Sequence, residues 1–259
     1  MKDLEVAAVT DRALLTSFHA VDTAVFDADF VALPADPIEE RLPEVEGTAP
    51  DDGDVTLLRL ALVGGQPVAS AVMYLPTADN LTAATIELRV HPDHRRRGYA
   101  RAFLAVLLSE LTSLGRPRVF FEVPSPYPSG EGPGEPLLRE VGARPVLREI
   151  RRVVDLPAQP VPDLHEAPDG YRLVQWVDRA PDELVEDMAY LMHRMSVDVP
   201  LEEMDWEPEV WDVRRYRAKE ATAGLRQRSR FATAVVHSDS GKLVGFTDIG
   251  VSRVAPETG

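Results

Sequence analysis

Between Ile86 and Leu114 the chain gathers residue types suited to holding phosphate. Strand-like Ala83 to Val90 is stopped by Pro92; three consecutive arginines follow, Arg95, Arg96 and Arg97; then Gly98, Tyr99 and Ala100 open a helical pattern. Amides at a helix N-terminus have no intrahelical acceptor and sit at the positive end of the dipole, so they receive anions. The small Gly98 and Ala100 let that backbone approach a pyrophosphate, and arginines beside it would add charge-assisted hydrogen bonds of roughly 1.5–3 kcal/mol each. Upstream, side-chain alternation sets Glu87 and Arg89 opposite Ile86, Leu88 and Val90. Taken by itself, Glu87 reads as an exposed or salt-bridged strand glutamate with Arg89 as a partner within reach. His91 and His94 flank Pro92 with no third ligand nearby in sequence, so no metal site is expected. The loop lacks the G-x-G-x-x-G of a dinucleotide site and the Gly-Lys-Ser/Thr of a P-loop.

These residues need a sheet and a helix to hold them. Leu4 to Val9 reads as a strand, and Asp11 caps a helix with its apolar stripe at Leu14, Phe18, Val21 and Val25. Pro34 to Asp54 reads as loop around one short helix. Leu57 to Val63 and Val68 to Leu75 form a hairpin across Gly64-Gly65, and Ala83 to Val90 is the next strand. Ala100 to Leu114 is a helix with Phe103, Val106, Leu107, Leu111 and Leu114 inward, ended by Gly115. Val119 to Val123 is a strand, Ser125 to Pro136 a Pro/Gly-rich loop, Leu137 to Val141 one helical turn, and Pro145 to Leu156 a closing strand. Proline-rich Leu156 to Asp169 reads as a linker, after which the order begins again. Tyr171 to Val177 is a strand, Asp182 to Val197 and Pro208 to Arg226 are helices, and Phe231 to His237 pairs with Leu243 to Val251 across Ser240-Gly241. That repeats the opening of the first half. The expected organisation is residues 1–156, a linker over 157–169, and a partial second copy over 170–259.

The segment VHPDHRRRGYA (Val90 to Ala100) resembles motif A of the GCN5-related N-acetyltransferases, the GNAT superfamily, with Arg95, Gly98 and Ala100 at the defining positions. The string alone is a loose pattern; the strand before it and the amphipathic helix after it carry the resemblance. It covers about Leu4 to Leu156, and Tyr171 to Val251 more faintly as the front half of a second such domain. It implies an α/β (α+β) fold, a mixed sheet flanked by helices, followed by a partial GNAT-like domain. It also implies acetyl-CoA at Arg95, Arg96, Arg97, Gly98, Tyr99 and Ala100, with the backbone of Leu88 and Val90 holding pantetheine and polarising the acetyl carbonyl. Glu87 lies on the strand that carries the general base in this family. Where family members place a Tyr four residues before a Gly-Phe pair, as acid for the leaving thiolate, this chain has Leu138 before Gly142-Ala143. Tyr127 is a substitute that nothing in the spacing requires. The general acid is thus unidentified. The implied activity is acetyl transfer to a small primary amine; the alternative is a non-catalytic acetyl-CoA-binding regulatory or scaffold module.

Composition narrows the classes. A net charge of −15, from 28 Lys and Arg against 43 Asp and Glu, argues against nucleic acid as a partner. No run approaches a membrane span, and with no cysteine there is neither disulfide nor thiolate chemistry. A cytoplasmic protein with a small-molecule amine substrate is expected, with room for a homodimer. Trp206, Trp211 and Tyr216, and Met188, Met192, Met195 and His193, read as packed helices rather than an acceptor pocket or a metal box. The second half offers no counterpart of the arginine loop, so one cofactor per chain is expected. Its last strand would keep an open edge, which favours a native chain continuing past Gly259.

Overall fold

The computed structural model of the chain describes residues 4–30, 34–49, 52–125, 130–152 and 167–255. Two sheets form, one on each side of 153–166. The first has five strands in sequential order: β1 Leu4–Ala8, β2 Asp54–Val63, β3 Gln66–Pro76, β4 Ala83–Val90 and β5 Arg118–Phe121. The first four are antiparallel neighbours, and β5 returns parallel to β4. A parallel return needs a crossover, which is helix α3, Tyr99–Ser113.

Helices cover both faces of the first sheet. α1, Arg12–Asp29, is capped by Asp11, whose carboxylate accepts the Leu14 amide at 2.9 Å. Its Leu15, Phe18 and Val21 pack on Leu58, Leu60 and Val72. Short α2, Leu42–Glu46, follows a 3-10 turn over Ile38–Arg41. On the other face Phe103, Leu104, Leu107 and Leu111 of α3 pack on Ala61, Ala69, Ala71, Met73 and Ile86. Two expected inward positions, Val106 and Leu114, are exposed, and Leu104 is buried instead. At 3.6 residues per turn Leu107 and Leu111 fall between Phe103 and Leu104, so all four share the sheet side. α4, Glu135–Glu140, is the expected turn of helix.

The closing strand is not formed over the described residues of its expected span. Over 145–152 no residue joins a ladder; the Val146 carbonyl accepts the Glu203 amide at 3.1 Å instead. Residues 153–156 of that expected strand, most of the expected linker, and Tyr127 lie outside the described residues.

The second sheet has strands β6 Tyr171–Val177, β7 Arg228–His237 and β8 Leu243–Ser252, all antiparallel, with α5 Val185–Asp198 and α6 Val213–Leu225 on one face. Tyr216, Met188 and Met192 are core there, whereas Met195 is exposed. His193 bonds the Glu209 carbonyl through Nδ1 at 2.7 Å.

Ion pairs join the two halves. Arg215 of α6 is buried against Asp79 at 2.5 Å and donates to the Asp52 carbonyl at 3.2 Å. Gly53 lies beneath it with φ +107°; a Cβ there would stand 2.5 Å from Arg215 Nε. Arg226 pairs with Glu44 at 2.5 Å and Arg228 with Glu40 at 2.8 Å. Asn80 and Glu207 exchange two hydrogen bonds at 2.9 and 2.8 Å.

Candidate active site

Strands β4 and β5 part company. Ala83 to Ile86 pair with Arg118 to Phe121, and beyond them Glu87 to Val90 keeps only its β3 ladder. Among the described residues no strand continues opposite Glu87–Val90 on the β5 side. One edge of that stretch therefore offers backbone N–H and C=O groups to a ligand. Leu88 and Val90 lie on the α3 face, paired across β3 with Ala71 and Ala69. Glu87 and Arg89 pair with Val72 and Ser70, on the α1 face. The sequence-based phase of the strand thus holds.

The Arg95–Ala100 loop leads directly from this edge into α3. Gly98 is the N-cap, with φ +81° and no side chain to satisfy the helix amides. The Ala102 amide bonds the Gly98 carbonyl at 3.2 Å, leaving the preceding first-turn amides without an intrahelical acceptor. Arg96 also takes a left-handed φ of +58°. The residues named from sequence are therefore together: Leu88 and Val90 at the strand end, Arg96, Arg97 and Gly98 exposed at the loop, Tyr99 and Ala100 in the first turn.

Arg95 departs from expectation. Its guanidinium is committed to Asp29 at the end of α1, at 2.9 and 2.7 Å, and to the Val90 carbonyl at 3.1 Å. A side chain holding a carboxylate bidentately is not free for phosphate. Arg95 is the anchor of the loop, and Arg96 and Arg97 carry its available charge. His91 and His94 sit beside it with ring centroids 5.5 Å apart. Among the described residues no group of three His, Asp or Glu side chains is arranged to hold a metal ion.

Glu87 sits in a network rather than alone. Arg89 bridges it to Asp22 of α1, with Asp22 at 3.4 Å, and lies over the Phe26 ring at 5.2 Å. Asp22 also accepts the Ser70 hydroxyl at 2.5 Å. Burial pushes the Asp22 carboxyl pKa up, against the pull of Arg89 and Ser70. Of the two sequence alternatives for Glu87, the structure shows the pairing with Arg89, on the α1 face beside the parted strands.

Two residues given no role from sequence lie close by. Glu122 follows β5 as Glu87 follows the paired stretch of β4. It keeps solvent access but loses enough water on its protein side to raise its carboxyl pKa, and Glu87 and Glu149 push the same way. Tyr74 of β3 pairs with Thr85 and bonds Arg41; burial raises its hydroxyl pKa. In the sequence Glu122 is the one charged residue that breaks the apolar run of Val119–Val123, without a role attached to it. Leu138, at the place of the family's Tyr, packs against the α3 core cluster.

Residues 23–127 match the profile of the acetyltransferase (GNAT) family. Among curated proteins nothing matches. Among solved structures the chain resembles a tandem GNAT protein from the clavulanic acid biosynthesis pathway at 22% identity and TM-score 0.69, over 96% of this chain and 75% of that one. It also resembles a GCN5-related N-acetyltransferase from Sphaerobacter thermophilus at 16% identity and TM-score 0.60, over 95% of this chain and 71% of that one. Residues 23–127 thus carry an acetyltransferase (GNAT) family domain, and the chain as a whole has the tandem GNAT fold.

Proposed function

We propose that the N-terminal half transfers acetyl from acetyl-CoA to a small primary amine. The observation that carries this reading is the parting of β4 and β5 directly upstream of the α3 N-terminus. It sets an open backbone edge and an anion-receiving helix end in one continuous stretch of chain.

In this reading the amides from Gly98 to Ala100 hold the pyrophosphate, with Arg96 and Arg97 neutralising its charge. The backbone of Leu88 and Val90 binds the pantetheine and polarises the acetyl carbonyl. Glu87 takes a proton from the incoming ammonium. At pH 7 that deprotonation costs an alkylamine of pKa ~10.4 about 4–5 kcal/mol. The amine nitrogen then bonds the acetyl carbon and gives its second proton to solvent, the carbon–sulfur bond breaks, and the thiolate leaves, taking a proton from solvent. Arg89 fixes the Glu87 carboxylate toward the parted strands. The rival reading, an acetyl-CoA-liganded module without turnover, is favoured by Leu138 in the apolar core.

Calorimetry tests the cradle. Gly98→Val, which forces a branched residue into a left-handed backbone and against the phosphate, is expected to lose acetyl-CoA binding. Gly98→Asn, which tolerates that φ, should fold normally and bind more weakly. Unchanged affinity in a folded Gly98→Val protein would overturn the assignment, and two cofactor equivalents per 259-residue chain would overturn the stoichiometry of one. Thiol release with an amine panel tests the chemistry. Glu87→Gln is expected to lower turnover about 10²–10⁴-fold at neutral pH with acetyl-CoA affinity unchanged; a variant that keeps most of its rate moves the base elsewhere.

A further inference from the structure

On the α1 face of the first sheet, burial is uneven. Leu58, Leu60 and Val72 are sealed beneath α1. On the same face, toward β5, Tyr74, Thr85, Glu87 and Phe120 are only half-buried, and Glu122 keeps solvent access. The register puts them in one strip: Thr85 lies between Tyr74 and Phe120, and Glu87 and Glu122 lie one side-chain repeat further along their strands. Neither α1 nor α2 seals this strip.

Its far wall comes from the C-terminal half. Trp206 meets Phe120 edge-on with ring centroids 5.4 Å apart. Trp206 is held there from both sides: Asp205 pairs with Arg118 at 2.5 Å, and Glu207 is locked to Asn80. Trp206 was expected to be core; it lies outside the second apolar cluster and faces the first sheet instead. Trp206 is thus pinned through both of its chain neighbours and only half-buried.

We infer that this strip is an acceptor cleft shared by both halves, and that it selects primary amines carrying an aromatic or bulky apolar group. The inference rests on the acetyl-transfer reading and narrows its substrate. The ammonium sits at Glu87 and Glu122, where the strands part. The apolar group lies against Phe120 and Trp206, two residues back along β5, a distance of about 6–7 Å. A two-carbon tether between nitrogen and ring spans that separation. Aromatic contact supplies affinity and the carboxylates supply orientation, the usual division of labour in a small-molecule site.

The test is calorimetric, on the full chain with CoA present, comparing 2-phenylethylamine with ethylamine. The aryl amine is expected to bind at least about tenfold tighter. Trp206→Leu should bring the two within about threefold of each other while leaving acetyl-CoA affinity unchanged, and Glu122→Gln should weaken both amines. Trp206→Phe, which keeps an aromatic wall and guards against misfolding of the Leu variant, should retain most of the preference. Equal affinities, a preference that survives Trp206→Leu, or no binding of either amine overturns the cleft. Turnover is read separately: bound aryl amine with no thiol release sinks acetyl transfer and leaves the cleft standing.

Discussion

The two sheets are built on the same opening, a strand, two helices and a hairpin, but they are not buried alike. In the first, Phe103 and Leu107 of α3 are 0% exposed against the sheet, and β3 is buried on both faces. In the second, α5 and α6 cover one face only, and β7 shows the alternation of a half-covered strand. Its other face carries Tyr171, Leu173, Val177, Phe231 and Ile249, with Phe231 and Ile249 49% and 62% exposed. The difference is one crossover helix. In the first sheet α3 both seals the apolar face and, through its N-terminus, opens the phosphate-binding end. Among the described residues the second sheet has neither, so cover and chemistry come as one element.

Paired truncations sharpen that contrast most. Phe103→Ala should cost about 3–5 kcal/mol of stability in urea titrations, since it leaves a cavity under α3. Phe231→Ala on the outer face of the second sheet should cost within about 0.5 kcal/mol. Equal costs would mean that the outer face is covered in solution. Next comes the seam. Arg215→Ala strands Asp79 without its partner and is expected to cost about 3 kcal/mol, where Arg144→Ala, an exposed pair with Glu203, costs almost nothing. Gly53→Ala should reproduce part of the Arg215 loss, because its Cβ displaces the same guanidinium from a backbone already at positive φ. The smallest effect separates the cores. Burial pushes the Tyr216 hydroxyl pKa up to about 12. A raised acid holds its proton more tightly when folded, so the stability it contributes is whole below about pH 10 and lost as pH rises through 12. Tyr216→Phe should blunt alkaline unfolding of the second half, followed by circular dichroism, and leave neutral-pH activity intact.

Most of the first half was legible in sequence because its signals are local. Asp11 as a cap, the Gly64-Gly65 turn, the phase of Glu87 and the glycine entering α3 depend on neighbours a few residues away. What was not legible depends on distant partners. Pro145 to Leu156 has strand-like alternation, but a strand exists only where another edge is free, and at Val146 the Glu203 amide takes the carbonyl. The side chain of Arg95 matches its motif position, yet Asp29, 66 residues earlier, claims it. Trp206 shares its spacing with core aromatics. Only the packing of one half on the other turns it toward Phe120.

The seam also bears on how the chain is made. Its buried acids, Glu40, Glu44 and Asp79, all belong to the N-terminal half, and the arginines that answer them, Arg215, Arg226 and Arg228, all come later. A chain emerging from the ribosome N-terminus first presents those carboxylates well before their partners exist. Water solvates them meanwhile at no cost, and the acidic patch repels other nascent copies with the same patch. When α6 and β7 emerge, the arginines find the patch already in place. Vectorial synthesis thus gives the second half a template of buried acids to dock on, while the exposed pairs Arg118–Asp205 and Arg144–Glu203 run in the opposite sense.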